Sequence, residues 1–169
     1  MTLRSGFTAL MILLSGLSSA SGEELQDGAP IPDVAQKTDA GVELKLSEVA
    51  SKGYTLVYFY PKADTPGCTK QACSLRDAYE TLIEKGVTVI GVSADSVEKQ
   101  AEFKEKYNLP FTLLADEDKT VINAFGVPVK WIGFASRQAY LFKNGKLIWR
   151  DLKASTAEQA NDVLAVLNN

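Results

Sequence analysis

Two apolar runs, residues 54–60 (YTLVYFY) and Val87–Ser93, bracket a single helical pattern, and this arrangement limits what the chain can fold into. Runs that are apolar on both sides of the pleat need cover on both faces, as strands do inside a parallel α/β sheet. Residues 66–85 between them read as a helix closed by Gly86, so the three segments form a βαβ unit. The pattern continues through a helix over 96–107 ending near Asn108-Leu109-Pro110, a short strand over 111–115 and a helix over 118–124. A hairpin over 138–152 turning at Asn144-Gly145 and a last helix over 156–167 complete it. Upstream, residues 23–33 form an entry segment with proline and glycine, and a hairpin around Asp39-Ala40-Gly41 pairs residues 34–37 with 42–46. The expected class is α/β, with a central mixed sheet flanked by helices and preceded by an N-terminal β-hairpin.

The chain has two cysteines and no histidine, and both cysteines fall in residues 64–73, DTPGCTKQAC. The first stands where a helix should begin. Thr65 suits the N-cap and Pro66 the first helical position, while Gly67 and Cys68 complete the first turn. Cys68 therefore lies among backbone N–H groups with no helical partner, and these, with the positive end of the helix dipole, favour the nucleophilic thiolate. Without histidine, the Cys-His pair of thiol proteases is excluded, so a dipole, a hydroxyl or an arginine must activate Cys68. Cys73 follows five positions later, a separation of roughly 8–9 Å between Cα atoms on an ideal helix. Bridged cysteines need Cα atoms within about 7 Å, so this pair can join only if the first turns unwind. With no further Cys or His ligands, the pair is not a zinc site.

The longer segment FYPKADTPGCTKQACSLRD resembles the active-site segment of peroxiredoxins of the bacterioferritin comigratory protein, or peroxiredoxin Q, branch. Pro61, Thr65 and Cys68 match the family's Pro-xxx-Thr-xx-Cys pattern, and Cys73 stands where many branch members carry a resolving cysteine. In SRQAYLFKNGKLI, Arg137 matches the family arginine that enters a later strand. The similarity runs from about Gly28 to the C-terminus. It departs at Lys143-Asn144, where acidic residues are common in relatives, and in GVPVKWIGFAS, which matches loosely.

The resemblance implies a thiol peroxidase with a thioredoxin-like sandwich fold, which the element order also fits. Cys68 would attack the O–O bond of hydrogen peroxide or a small organic hydroperoxide and become a sulfenic acid, and Cys73 would condense with it. A thioredoxin-like reductant would recycle the disulfide, without metal or prosthetic group. Arg137 and backbone N–H groups would supply the electropositive pocket, and the Thr65 hydroxyl would accept from the peroxide and donate to the sulfur. Pro61 would keep water out and Tyr60 would line the wall. A monomer or weak dimer is the expected state. Each residue has a plainer role open to it. Cys68 is a small buried hydrophobe in that reading, and Cys73 a core residue on the face of Ala72, Leu75, Tyr79 and Leu82. Thr65 is then only a cap, Pro61 a strand terminator and Arg137 a surface arginine. Arg76 and Asp77 face outward or pair locally, and Trp131 and Trp149 pack. In another class stands a redox sensor or partner-binding domain that uses the Cys68–Cys73 switch without turnover.

The N-terminus carries a separate signal: Arg4, an apolar run over 7–17, then small residues over 18–22, the three parts of a cleaved secretory signal peptide. The run is too short to span a membrane. Cleavage after Ala20 or Gly22 would export the chain, with a bacterial periplasm as the expected compartment, where reducing equivalents must be supplied. Residues 23–169 then form one domain. Of the charged residues only Arg4 is lost, leaving 17 basic against 21 acidic side chains and a net charge of −4. That balance favours neither nucleic acid nor an anionic membrane as a partner of the mature form. Met1 and Met11 are the only methionines, so the mature chain has none, which suits exposure to peroxides. The absence of GxGxxG, GxxxxGK and internal repeats leaves nucleotide cofactors and repeat folds without support.

Overall fold

The computed structural model describes residues 22–168, so all of the expected leader except Gly22 lies outside the described residues. Gly41, at φ 73°, turns the chain between β1 (Ala35–Lys37) and β2 (Glu43–Lys45), the antiparallel hairpin expected near the N-terminus. Residue 46 does not extend that strand. It opens a one-turn helix, α1 (Leu46–Val49), which buries Leu46 completely.

The main sheet is built on β3 (Tyr54–Phe59), whose side chains alternate between two cores. Leu56 and Tyr58, with the following Tyr60, enter one cluster, and Val57 and Phe59 enter the other. The next segment, expected as one helix over 66–85, is two: α2 (Pro66–Asp77) and α3 (Tyr79–Glu84), separated at Ala78 with φ −97° and ψ 6°. No glycine or proline marks that break. Beyond it Tyr79 meets the Phe111 ring at 6.0 Å and Leu82 is buried in the first cluster, so packing onto the sheet goes with the change of direction.

β4 (Val87–Ser93) follows as expected and pairs parallel with β3. Helix α4 (Val97–Tyr107) is capped by Ser96, whose hydroxyl accepts the Lys99 N–H at 3.4 Å, and closed by Asn108 in the left-handed region. β5 (Thr112–Ala115) pairs parallel with β4 at the open edge of the sheet. The N-terminal hairpin covers that edge: Asp39 N–H donates to Leu113 O, and Leu113 N–H donates to Asp39 Oδ1, both at 2.8 Å. Helix α5 (Thr120–Ala124) starts two residues later than expected; the buried Asp116 carboxylate accepts the N–H groups of Val121 and Ile122 at 3.0 and 2.8 Å.

β6 (Gln138–Lys143) runs antiparallel on the other side of β3, and Asn144-Gly145, both with positive φ, turn it into β7 (Lys146–Asp151). The order is β5-β4-β3-β6-β7, a mixed sheet of the thioredoxin-like type. Helix α6 (Gln159–Leu167) begins three residues after the expected start. Side chains from α2, α3, α4 and α6 fill the first cluster, and those from α1 and α5 fill the second. Trp149 packs against the first cluster, whereas Trp131, expected to pack, is 100% exposed on the 127–135 loop.

Candidate active site

Six residues, 60–65, carry the chain from β3 to α2 at the carboxyl edge of the parallel strands, where α/β sheets gather their ligands. Pro66 occupies the first helical position, and Cys68 lies two residues further on, only 1% exposed. Its sulfur is not alone. The Arg137 guanidinium, entering from the residue before β6, donates from Nη2 to Cys68 Sγ at 3.5 Å. Nη1 of the same group donates to Gln71 Oε1, and Gln71 Nε2 donates to Gln159 Oε1 at 2.8 Å. Gln71 and Gln159 have no exposed surface, so the cation is held from behind by a buried amide pair that joins α2 to α6. Gly67 supplies the room: a Cβ there would sit 3.2 Å from Arg137 Nη2. A fixed guanidinium and the unpaired N–H groups of a first turn together place positive potential around one sulfur.

Thr65 is extended at the cap position, and its carbonyl accepts the Thr69 N–H at 2.8 Å. Its hydroxyl makes no capping bond. Instead, Oγ1 donates to Lys62 O at 2.9 Å, so the proton is engaged backwards along the loop rather than on the sulfur, and the oxygen lone pairs remain for a ligand. Pro61 is half-buried at the start of the loop, and the next residue, Lys62, holds its ammonium 5.6 Å from the centroid of the Phe134 ring. Tyr60 does not line an open wall. It is fully buried in the same cluster as Cys68, donates to Gln100 Oε1 at 2.5 Å, and burial keeps its phenol protonated far above the usual range.

Cys73 and Cys68 are both free thiols on one uninterrupted helix. Ala72 and Leu75 belong to the buried cluster, whereas Cys73 is half-buried and outside it, which departs from its reading as a core residue. Arg76 pairs with Asp77 at 2.8 Å and donates to Tyr107 O at 2.9 Å, the local pairing expected of it.

Gln71 carried no assignment in the sequence reading, although a signal existed. It sits three residues after Cys68 on the face that also buries Ala72 and Leu75, and a lone amide on such a face requires a partner. Gln159, far along the chain on α6, gave no comparable hint.

A model of the AhpC/TSA family matches residues 28–150, a span that contains both Cys68 and Arg137. Peroxiredoxin Bcp of Bacillus subtilis is 41% identical over 138 residues, which covers 76% of this chain and 87% of that protein. Among solved structures, peroxidoxin BcpB from Mycobacterium tuberculosis superimposes with a TM-score of 0.80 at 31% identity, covering 86% of this chain and 97% of that one. A Xanthomonas campestris bacterioferritin comigratory protein, studied for its alkyl peroxide reduction activity, aligns with a TM-score of 0.76 at 27% identity, over 85% of this chain and 96% of its own. The family model, the sequence identity and the three-dimensional likeness agree: the chain belongs to the AhpC/TSA family, in its Bcp/peroxiredoxin Q branch of thiol-dependent peroxidases.

Proposed function

We propose that Cys68 is the peroxide-reacting thiol of this enzyme, that Cys73 resolves it, and that hydrogen peroxide and small organic hydroperoxides are the substrates. The observation that carries the reading is the Arg137 donation to Cys68 Sγ at 3.5 Å on the first turn of α2. The Cys68 thiolate attacks one peroxide oxygen as the O–O bond breaks. The departing oxygen takes a proton and leaves as water or an alcohol, and sulfur is oxidised to a sulfenic acid. Arg137 and the first-turn N–H groups stabilise the charge that develops on the leaving oxygen. The Thr65 lone pairs accept the peroxide O–H and Pro61 shields the site. The Cys73 thiol then condenses with the sulfenic acid, losing water, and a thioredoxin-like dithiol reduces the disulfide.

Cα atoms five helical positions apart lie roughly 8–9 Å from each other, so resolution requires α2 to unwind locally, at a cost that makes the bond easy to reduce. Peroxide consumption by the protein with thioredoxin or dithiothreitol tests the reading. Cys68→Ser is expected to abolish it, and Cys73→Ser to permit one turnover before stalling as a sulfenic acid that a dimedone-type reagent traps. Wild-type rates in the Cys68→Ser protein would refute the assignment, and oxidation without multiple turnovers would favour a sensor. Hydrogen exchange should show protection lost across α2 on oxidation while β3 and β4 keep theirs.

The sequence of residues 1–22 supports export, with the periplasm of a bacterium as the compartment. Intact-mass measurement on protein from its own host is expected to find a chain beginning at Ser21 or Glu23; a full-length cytosolic product would overturn this.

A further inference from the structure

The Lys62–Ala63 peptide group lies between two bonds with different purposes. Its carbonyl accepts the Thr65 hydroxyl at 2.9 Å, and its N–H donates to Asp95 Oδ2 at 2.7 Å. Asp95 stands just beyond the end of β4 and is 8% exposed. The same Oδ2 accepts the Ser93 hydroxyl at 2.8 Å, and Ser93 Oγ accepts from Gln100 Nε2 at 2.9 Å. Gln100 Nε2 also donates to Leu114 O at 2.8 Å, and Gln100 Oε1 accepts the Tyr60 hydroxyl. These buried bonds join residues at the carboxyl ends of all three parallel strands and one side chain of α4, and their single bond to the middle of the 60–65 loop is the one from Ala63. A buried carboxylate has few ways to be satisfied, so its position fixes that of its donors.

We infer that Asp95 is a positioning residue for peroxide reduction: by holding the Lys62–Ala63 peptide plane it sets the Thr65 hydroxyl rotamer that presents an acceptor to the peroxide. The inference rests on the proposed peroxidase chemistry at Cys68. With its N–H bonded to a carboxylate, the peptide is polarised and its carbonyl becomes a stronger acceptor. The Thr65 proton is thereby committed to Lys62 O, and the hydroxyl faces a substrate O–H as acceptor only. Asp95 makes no bond to Cys68 or Arg137, so the availability of the thiolate does not depend on it.

Two reactions at the same sulfur separate these roles. Oxidation by hydrogen peroxide needs the Thr65 acceptor, whereas alkylation by iodoacetamide reports thiolate availability alone. Asp95→Ala is expected to slow peroxide oxidation by about five- to tenfold, no more than removal of the Thr65 hydroxyl through which it acts. Alkylation should change less than about twofold across the pH profile. Asp95→Asn keeps an oxygen for the Ala63 N–H and should restore oxidation to within about threefold of wild type. In a Thr65→Val background, Asp95→Ala should alter oxidation by less than about twofold, because its route of action is already gone. Equal losses in both backgrounds, a parallel fall in alkylation, or an Asn variant as slow as the Ala variant would overturn the inference. If Asp95→Ala does not fold, Asp95→Ser, which withdraws the acceptor from Ala63, carries the same cycle with the same outcomes. Slow oxidation of the wild-type protein itself, at the rate of a free thiol, would instead defeat the peroxidase reading.

Discussion

Helices α2 and α4 leave the same edge of the sheet, each after a parallel strand, yet their first turns are finished in opposite ways. At α4 the Ser96 hydroxyl turns inward and accepts the Lys99 N–H, and Glu98 stands in the first turn, where its carboxyl is held below the usual range by its own backbone N–H and by Ser96. At α2 the Thr65 hydroxyl turns away to Lys62 O, no acidic residue follows, and Cys68 occupies the first turn. Capping satisfies a helix start and so removes its capacity to hold an anion. The α4 start is a stability device. The α2 start keeps its donors for sulfur, and the loop before it is stabilised from elsewhere.

The largest break in this comparison should come from the cation that α4 lacks. Arg137→Lys keeps a charge but loses the planar fork that reaches both Cys68 and Gln71, and it should slow peroxide oxidation by about 10- to 100-fold. Stopped-flow oxidation and thermal melts taken together should show the rate falling with little change in melting; an unchanged rate would make Arg137 a structural residue.

Exchanging the two cap positions sharpens the contrast. Thr65→Val should slow peroxide oxidation by about tenfold, and its stability cost, about 0.5–1 kcal/mol, comes from the lost bond to Lys62 O rather than from a cap. Ser96→Ala should cost about 1 kcal/mol of stability through its lost cap and leave the oxidation rate intact. Chemical denaturation and peroxide kinetics on both variants decide it, and an unchanged oxidation rate in Thr65→Val or a slowed one in Ser96→Ala would erase the distinction.

A smaller effect is expected at Gly67. Its backbone accepts alanine, which favours a helix, but the new Cβ would press on Arg137 Nη2 from 3.2 Å. Gly67→Ala should hold or raise the melting temperature while oxidation slows by about three- to fivefold, a fraction of the loss seen for a group misplaced by a full ångström. A rate equal to wild type would mean the guanidinium has slack.

The smallest effect concerns the exposed latch beside the loop, where Asp64, at φ 56°, accepts from Lys106 Nζ at 3.0 and 2.8 Å and from Tyr107 Oη at 2.6 Å. The Lys106 and Tyr107 bonds hold its carboxyl below the usual range. Because the folded value is the lower one, the latch contributes above the unfolded value and is lost as pH falls through the folded one. Melts taken from about pH 5 down to about pH 3 should show a slight extra loss that Asp64→Asn lacks, since the amide does not titrate over that range. Identical acid curves for the two proteins would show that the latch adds nothing.

Much of α4 and its neighbours was legible because the signals are local. Ser96, the apolar β4 run and the left-handed Asn108 all declare themselves within a few residues, and the observed bounds follow them. The Asn144-Gly145 turn was equally plain. The break at Ala78 was not, because it answers to Phe111 and the sheet rather than to any breaker in the helix itself. The role of the Thr65 hydroxyl was also misjudged: threonine before Pro66 is a good cap by propensity, but Lys62 O offers its proton a nearer acceptor in the folded loop. Trp131 is large and apolar and was expected to pack, yet nothing in its local sequence announces that the 127–135 loop carries it away from both cores.

The sequence by itself determined the βαβ frame and the placement of Cys68 on the first turn of a helix, with Cys73 five positions on, since apolar runs, Pro66 and the spacing act over one or two turns of chain. The family pattern pointed to Arg137, but only the fold decided what surrounds the sulfur. Arg137 reaches Cys68 across 69 positions, Gln159 reaches Gln71 across 88, and Asp95 reaches Ala63 across 32. Those meetings follow from the register of β3 against β4 and β6 and from the packing of α6 on α2. Local propensity does not encode them, because a buried polar group is satisfied by whichever partner the sheet and helices bring within hydrogen-bonding distance.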